Sequence, residues 1–485
     1  MAHINDLDKN VLAQILYKAV AAPAKNLSEW KAKLPLLAVC RKWTELALSF
    51  VFYQVFVELP KLPGPSLDAH FLWTSNVELL ISRGCVLRAL CLTIQLPYDV
   101  TPDHIRIIAL EILKLDRVDW QHINSLAFTF ATWTLYLPDK PGPQDDKTVT
   151  DVARTARYFA QNLRNVVDLD LVLELELDSS AVRILPSICG ETLKVLKLSK
   201  VPRNFAWHHF RYDIFDLPIV FRQLTALHLS YEDNDMPLTE GEVQDKIASG
   251  ARCCDQLYFP ALRELAIRNC TPDCDLLYAD IPFPELKKVV LSGSISSIRH
   301  CSRLRFTNIG DLEVDIISPY SDEAPEIYNV TNHFFSNIHI GRAAFLCVSG
   351  DKFILDPDEM RWVNISKLEL PNVEYTTVCK AIGQLPNLCE LAIHRLATNS
   401  PIEDSSLFTS ADPMLAWGEK LVLFHVRNFS DDSPLAVCID DIQALLLHAG
   451  ALKKLAVPES VHRLVVAFID MYKDRYPHLA NVTVY

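Results

Sequence analysis

Glycine is scarce in this chain, 13 in 485 residues. Phosphate-binding loops group glycines so that the backbone can approach the anion. No such grouping stands here, so a nucleotide-binding enzyme is not expected. Positive charge is also in deficit: 47 Lys and Arg against 60 Asp and Glu leave a net charge of −13. Nucleic acid and anionic membrane surfaces need concentrated basic groups, so neither is expected as the main partner. Long apolar runs are lacking as well. The longest, Leu46 to Leu59, is broken by Ser49 and Gln54 and closed by Glu58, short of a membrane span. The start, Met1-Ala2-His3-Ile4-Asn5-Asp6, has no basic segment followed by an apolar core, so no secretory signal is expected. The 13 cysteines follow no framework spacing, which favours reduced thiols and a cytoplasmic or nuclear setting. In that setting the sequons at Asn26, Asn269, Asn329, Asn364, Asn428 and Asn481 carry no glycans.

Catalytic signatures are missing too. There is no His-Glu-x-x-His, no Gly-x-Ser-x-Gly and no phosphate loop. No catalytic residue, cofactor or metal is therefore expected. Cys253, Cys254, Cys270 and Cys274 cluster within a short stretch. Only Cys270 and Cys274 have the spacing of a zinc-ligand pair, since adjacent side chains such as Cys253 and Cys254 point apart. Cys270 reads better as a buried turn thiol.

What is present is apolar and folded: half the residues are hydrophobic and 22% are charged. The length suits two or three ordinary domains, or one small module ahead of a repeat array. Near the start, Leu7, Val11, Leu12, Ile15, Leu16 and Ala19 recur at three- and four-residue steps. That spacing places them on one helix face within Ile4 to Val20. A short apolar stretch, Leu34, Leu36, Leu37 and Val39, then leads into Cys40-Arg41-Lys42-Trp43. Two or three short helices are too few for a comfortable core of their own. Surplus apolar positions are candidates for a partner's groove.

These residues resemble the F-box, the adaptor-binding module of cullin-RING ubiquitin ligases. Leu7 to Leu16 is similar to the family's opening helix. Val39-Cys40-Arg41-Lys42-Trp43 is similar to its second signature, in which Cys, a basic pair and Trp follow an apolar run. Two departures stand out. Asp8 occupies the place where the family usually has Pro, and Ala21 to Lys33 enlarges the gap before Cys40. The resemblance implies a non-catalytic receptor subunit that docks on a Skp-type adaptor, and through it on cullin. Leu7, Leu12, Ile15, Leu16, Cys40 and Trp43 would be the adaptor-binding residues.

Gln54 to Leu59 alternates in part, as a first strand would. Pro60, Pro63, Gly64 and Pro65 mark a boundary. The expected organisation is a helical module over 1–59, a Pro-rich boundary over 60–66, and a repeat array over 67–485. The repeat is apolar, two variable, apolar, one variable, apolar. Clear instances are Leu87/Leu90/Leu92, Val166/Leu169/Leu171, Leu193/Leu196/Leu198, Leu224/Leu227/Leu229 and Leu262/Leu265/Ile267. They continue as Leu286/Val289/Leu291, Ile309/Leu312/Val314, Ile365/Leu368/Leu370, Leu388/Leu391/Ile393, Leu452/Leu455/Val457 and Leu479/Val482/Val484. Ile123/Leu126/Phe128, Ala343/Leu346/Val348 and Leu421/Phe424/Val426 are weaker.

The last three positions of each unit alternate as in a short strand. One unit alone leaves its apolar face bare, and stacking the units in parallel buries it. The expected fold is α/β: a small N-terminal helical module, then an irregular leucine-rich-repeat-like solenoid of parallel strands with helix or loop connectors. The units recur about every 30 residues, against ~20–29 in regular leucine-rich repeats. Helical connectors are expected over Thr101 to Leu115, Val149 to Asn162, Thr376 to Ile382, Ile439 to Leu447 and Val461 to Tyr472. The Asn or Cys that normally follows each strand is mostly missing, so these turns need other hydrogen-bond partners. An irregular α/β protein with buried parallel strands is the other reading of the same pattern.

The connector Val201 to Phe221 carries Trp207, Phe210 and Tyr212, which suit either a partner surface or packing within the repeat wall. Acidic stretches at Asp145-Asp146, Glu232 to Asp235 and Asp431-Asp432 suit solvated loops or a basic target segment. Ala397 to Trp417 is a long polar loop. The target expected for the array is a protein whose identity is not written in the sequence. The alternative is an interaction scaffold in which the N-terminal helices only cap the solenoid.

Overall fold

The computed structural model describes residues 8–20, 24, 26–35, 41–50, 53–59, 74–96, 120–132, 165–173, 191–201, 221–231, 259–270, 283–293, 309–316, 341–347, 364–375, 378, 382, 385–397, 420–429 and 435–485. They belong to two compact units: Met1–Glu232 with Gln256–Pro260, and Asp233–Asp255 with Ala261–Tyr485. Both are built as leucine-rich-repeat-like α/β stacks, as the apolar spacing predicts.

The first unit opens with three helices, α1 (Lys9–Val20), α2 (Leu27–Ala32) and α3 (Arg41–Phe50). Then come β1 (Gln54–Leu59), β2 (Thr74–Ser75), α4 (Val77–Ser82), β3 (Ala89–Leu96), β4 (Ser125–Thr132), β5 (Asp168–Leu173), β6 (Val195–Val201) and β7 (Ala226–Tyr231). β1 and β3 to β7 pair in parallel in chain order. β2 runs antiparallel on the outer side of β1. Val55, Leu90, Leu126, Leu169, Leu196 and Leu227 stand side by side in one row, and all are buried. Each such leucine contributes roughly 1.5–3 kcal/mol by leaving water.

The second unit holds β8 (Glu264–Cys270), β9 (Lys288–Gly293), β10 (Asp311–Ile316), β11 (Arg342–Cys347), β12 (Lys367–Glu374), β13 (Glu390–Ala397) and β14 (Leu423–Phe429). They are followed by α5 (Leu435–His448), β15 (Lys454–Ala456), α6 (Glu459–Tyr472) and β16 (Thr483–Val484). Here too every strand pairs in parallel with the next. α5 and α6 contain the helices expected over Ile439 to Leu447 and Val461 to Tyr472. Within Thr376 to Ile382, Val378 and Ile382 are helical and buried. Thr101 to Leu115 and Val149 to Asn162 lie outside the described residues.

Two repeats sit out of the register expected for them. β10 aligns Leu312 with Ala343 and Val314 with Phe345. Ala343 therefore takes the second apolar position, not the first, and Leu346 pairs with Asp315. A shift by an odd number of residues exchanges the two faces of a strand, and Ala343 is too small to announce itself as a core position. In the last repeat Val484 aligns with Leu455. Val484 thus fills the second apolar position, the one expected for Val482.

The turns solve their hydrogen bonding by passing it along the stack. The residue entering each strand donates its N–H to the carbonyl at the same place one repeat earlier. Asn124 bonds Arg88, Val167 bonds Asn124, Lys194 bonds Val167 and Thr225 bonds Lys194, at 2.8–2.9 Å. The second unit continues the device through Gly310 to Lys287, Gly341 to Gly310, Ser366 to Gly341, Cys389 to Ser366 and Val422 to Cys389. Gly341 suits the close approach there, since a Cβ would meet the Gly310 carbonyl oxygen at a tight 3.3 Å. At the strand exits, Lys200 and Asn269 have positive φ. Each sits in a break of register, between Leu198 and Val201 and between Ile267 and Cys270. Such a bulge turns the next side chain, and Val201 is fully buried. Val373 and Leu396, three residues beyond Leu370 and Ile393, are fully buried as well. Apolar side chains therefore occupy the place where a regular repeat keeps Asn.

Candidate functional site

The N-terminal helices are the candidate docking site. α1 begins on Asp8, whose Oδ1 accepts the N–H of Asn10 at 2.7 Å and whose carbonyl accepts that of Leu12 at 2.9 Å. Asp8 thus serves as the N-cap of α1 where the F-box pattern has Pro, and its negative charge suits the helix N-terminus. α1 meets α3 through Leu12 and Leu46, both buried, with Ala13 and Trp43 packed against them. The indole Nε1 of Trp43 is shielded from solvent and makes no hydrogen bond among the described residues. On α1, Val11 and Ile15 are exposed, by 44% and 38%.

The six positions expected to bind an adaptor thus divide. Leu12 and Trp43 form the contact between α1 and α3. Ile15 faces outward. Leu16 lies in α1, with its side chain outside the described residues, and Leu7 and Cys40 lie outside them altogether. Trp207, Phe210 and Tyr212 also fall outside. So do Cys253, Cys254 and Cys274, and no group of metal-ligating side chains occurs among the described residues.

The enlarged gap before Cys40 contains a helix that periodicity did not single out. Asn26 N-caps α2 by accepting the N–H of Glu29 at 2.8 Å. Leu27 and Trp30 of α2 are buried, and α2 lies against β1. A six-residue helix is too short to show in a periodic pattern, but Asn26 with an acid three residues on was a usable start signal.

The outward face of the second unit carries a series of cross-strand polar contacts. Cross-strand ion pairs join Glu264 to Lys288 at 3.1 Å, Asp311 to Arg342 at 3.1 Å and Lys367 to Glu390 at 2.9 Å. Further along, Glu369 of β12 accepts from His394 Nε2 at 2.6 Å and from Arg427 Nη2 at 2.8 Å. Arg427 Nη1 lies 3.4 Å from His394 Nδ1. A guanidinium only donates, so Nδ1 is the acceptor and the neutral ring carries its proton on Nε2. Burial lowers the pKa of neighbouring His425, and Arg427 lowers it further. On β10, burial and then Glu313 raise the pKa of Asp315. In the first unit, the Cys91 thiol on β3 is pushed up to about 12 by burial and then by Asp170. It is a packing thiol, not a nucleophile.

No family model matches this chain, and no curated protein matches it. Solved structures do. Among them is the crystal structure of a Bacteroides fragilis protein, 12% identical over 75% of this chain and 79% of that one, with a TM-score of 0.27. Overlap this low leaves the fold to be argued from the strand pairing itself. Among the described residues no helix is long and apolar enough to cross a membrane.

Proposed function

We propose that this chain is the substrate-recognition subunit of a Skp-cullin-F-box ubiquitin ligase. The α1–α3 pair docks on the Skp-type adaptor, and the repeat array holds a target protein. The observation that carries the reading is the division of α1. Leu12 binds it to Leu46 and Trp43 of α3, while Val11 and Ile15 remain apolar and exposed. Exposed apolar side chains beside a small helical core suit a partner's groove. The chain itself performs no bond chemistry. It raises the concentration of target near the charged conjugating enzyme, which is a proximity effect. Its workplace is the cytoplasm or nucleus, where adaptor and cullin complexes are reached.

A second reading is favoured by α2, whose buried Trp30 and Leu27 lie against β1. In it the N-terminal helices cap the stack and bind no adaptor. Co-purification with a Skp-type adaptor separates the two. The ligase reading expects capture by wild-type protein and loss of capture with Val11→Asp and Ile15→Asp together, with the thermal transition unchanged. Wild-type protein that captures no adaptor overturns the ligase reading.

A further inference from the structure

Helix α6 has a second apolar stripe that the repeat core does not use. Val461, Val465 and Ile469 face inward and are buried. Leu464 and Met471 lie on another side, 48% and 73% exposed. Seven residues apart, they stand two turns from each other on one line. Half-buried Phe468 borders that line and lies against Tyr472, with ring centroids 4.6 Å apart and the rings tilted by 37°. Met471 is the most exposed of the large apolar side chains described.

The charges beside this stripe decide what covers it. Arg463 and Asp470 flank it on the side away from Phe468, and they too are seven residues apart. Arg463 makes no ion pair among the described residues. Asp470 is reached among the described residues only by Lys473, the C-cap residue of α6, at 2.9 Å and with the carboxylate 62% exposed. The centre of the Arg463–Asp470 pair lies one residue, about 1.5 Å, from the centre of the Leu464–Met471 pair, so turning the helix end for end brings both pairs within side-chain reach of their complements. Turned so, Leu464 meets Met471, Arg463 meets Asp470, and Asp470 meets Arg463. The N-terminal Glu459 then lies by the turn Lys473-Asp474-Arg475, which is net positive. A twofold contact repeats every pair in this way, and antiparallel helices also oppose their dipoles favourably.

We infer that α6 pairs antiparallel with α6 of a second copy of this chain, forming a symmetric dimer through Leu464, Met471, Arg463 and Asp470. The inference is independent of adaptor binding, because none of these residues lies in the N-terminal helices.

Sedimentation of the full-length chain over a concentration series tests it, with circular dichroism to confirm folding. The wild type self-associates to a dimer. Met471→Asp raises the dissociation constant by about tenfold or more without altering the fold, since it buries an unpaired charge in the contact. Arg463→Asp and Asp470→Arg each weaken association alone, because each sets like charges opposite one another. Mixing those two variants restores it, as every cross-copy pair is then of opposite sign. A wild type that stays monomeric overturns the dimer, and so does an association that Met471→Asp leaves unchanged. Failure of the mixed variants to recover overturns the antiparallel arrangement.

Discussion

Gln54 on β1 holds the backbone of Ala24 at both polar groups. Its Oε1 accepts the Ala24 N–H at 3.1 Å, and its Nε2 donates to the Ala24 carbonyl at 3.4 Å. Gln54 is itself buried, 6% exposed. The segment before α2 is thereby bonded to the edge of the stack much as another strand would be. Gln54→Ala leaves a buried donor and acceptor without partners, at about 1–3 kcal/mol. Urea unfolding of the variant should show that loss, with proteolytic cleavage appearing first near Ala24. Unchanged stability would mean that this bridge holds nothing.

Leu12 and Ile15 sit one turn apart on α1, yet only Leu12 is buried. Leu12→Ala should destabilise the α1–α3 pair by about 2–4 kcal/mol through lost burial and the space left beside Leu46. Ile15→Ala should stay within about 0.5 kcal/mol. Hydrogen exchange of the α1 amides reads both. Equal protection losses in the two variants would contradict the division of α1.

Glu369 ties β12 to β13 and β14 through His394 and Arg427. Its side chain is 23% exposed, but that of Arg427 is 47% exposed, so screening keeps the effect small. Glu369→Ala should cost about 1 kcal/mol, and less as salt is added. Nitrogen chemical shifts of His394 should report a proton on Nε2 at neutral pH in the wild type. A predominant Nδ1–H form would contradict the bond from Arg427.

Asp441 on α5 has its pKa raised to about 7, by burial and then by the neighbouring charge of Asp440. The folded state therefore holds this proton more tightly than the unfolded chain does. The sign follows: stability from this group is full below the unfolded carboxyl value and falls as pH rises from about 4 towards 7. Asp441→Asn removes that slope and should stabilise the protein at neutral pH, on the order of 2 kcal/mol after discounting for solvent screening. Denaturant midpoints of wild type and variant at about pH 5 and about pH 8 measure it. A midpoint gap that does not widen with pH would refute the assignment.

The stack was legible because each repeat presents leucine or a close relative at every inward position. In two places where that failed, the cause was size or length. Ala343 takes an inward place without looking like a core residue, and α2 is too short for periodicity to reveal. The N-terminal helices were legible as an apolar face but not as a division of labour. Leu12 and Ile15 belong to one stripe by spacing, and only the position of Leu46 and Trp43 says which of them is spent on α3. The network of Glu369, His394 and Arg427 was invisible for another reason. Its members are separated by 25 and 33 residues, and only strand register brings them together.

The ion pairs from β8 to β13 also limit how such a chain can grow. One row across the second unit reads Glu264, Lys288, Asp311, Arg342, Lys367, Glu390. Deleting one repeat, the one built on β10, would set Lys288 beside Arg342. Duplicating the β9 repeat would set two copies of Lys288 side by side. Duplicating the β8 and β9 repeats together keeps opposite signs in contact. The row already holds one like-charged step, Arg342 beside Lys367, so loss of the β11 or the β12 repeat alone would leave unbroken alternation of sign.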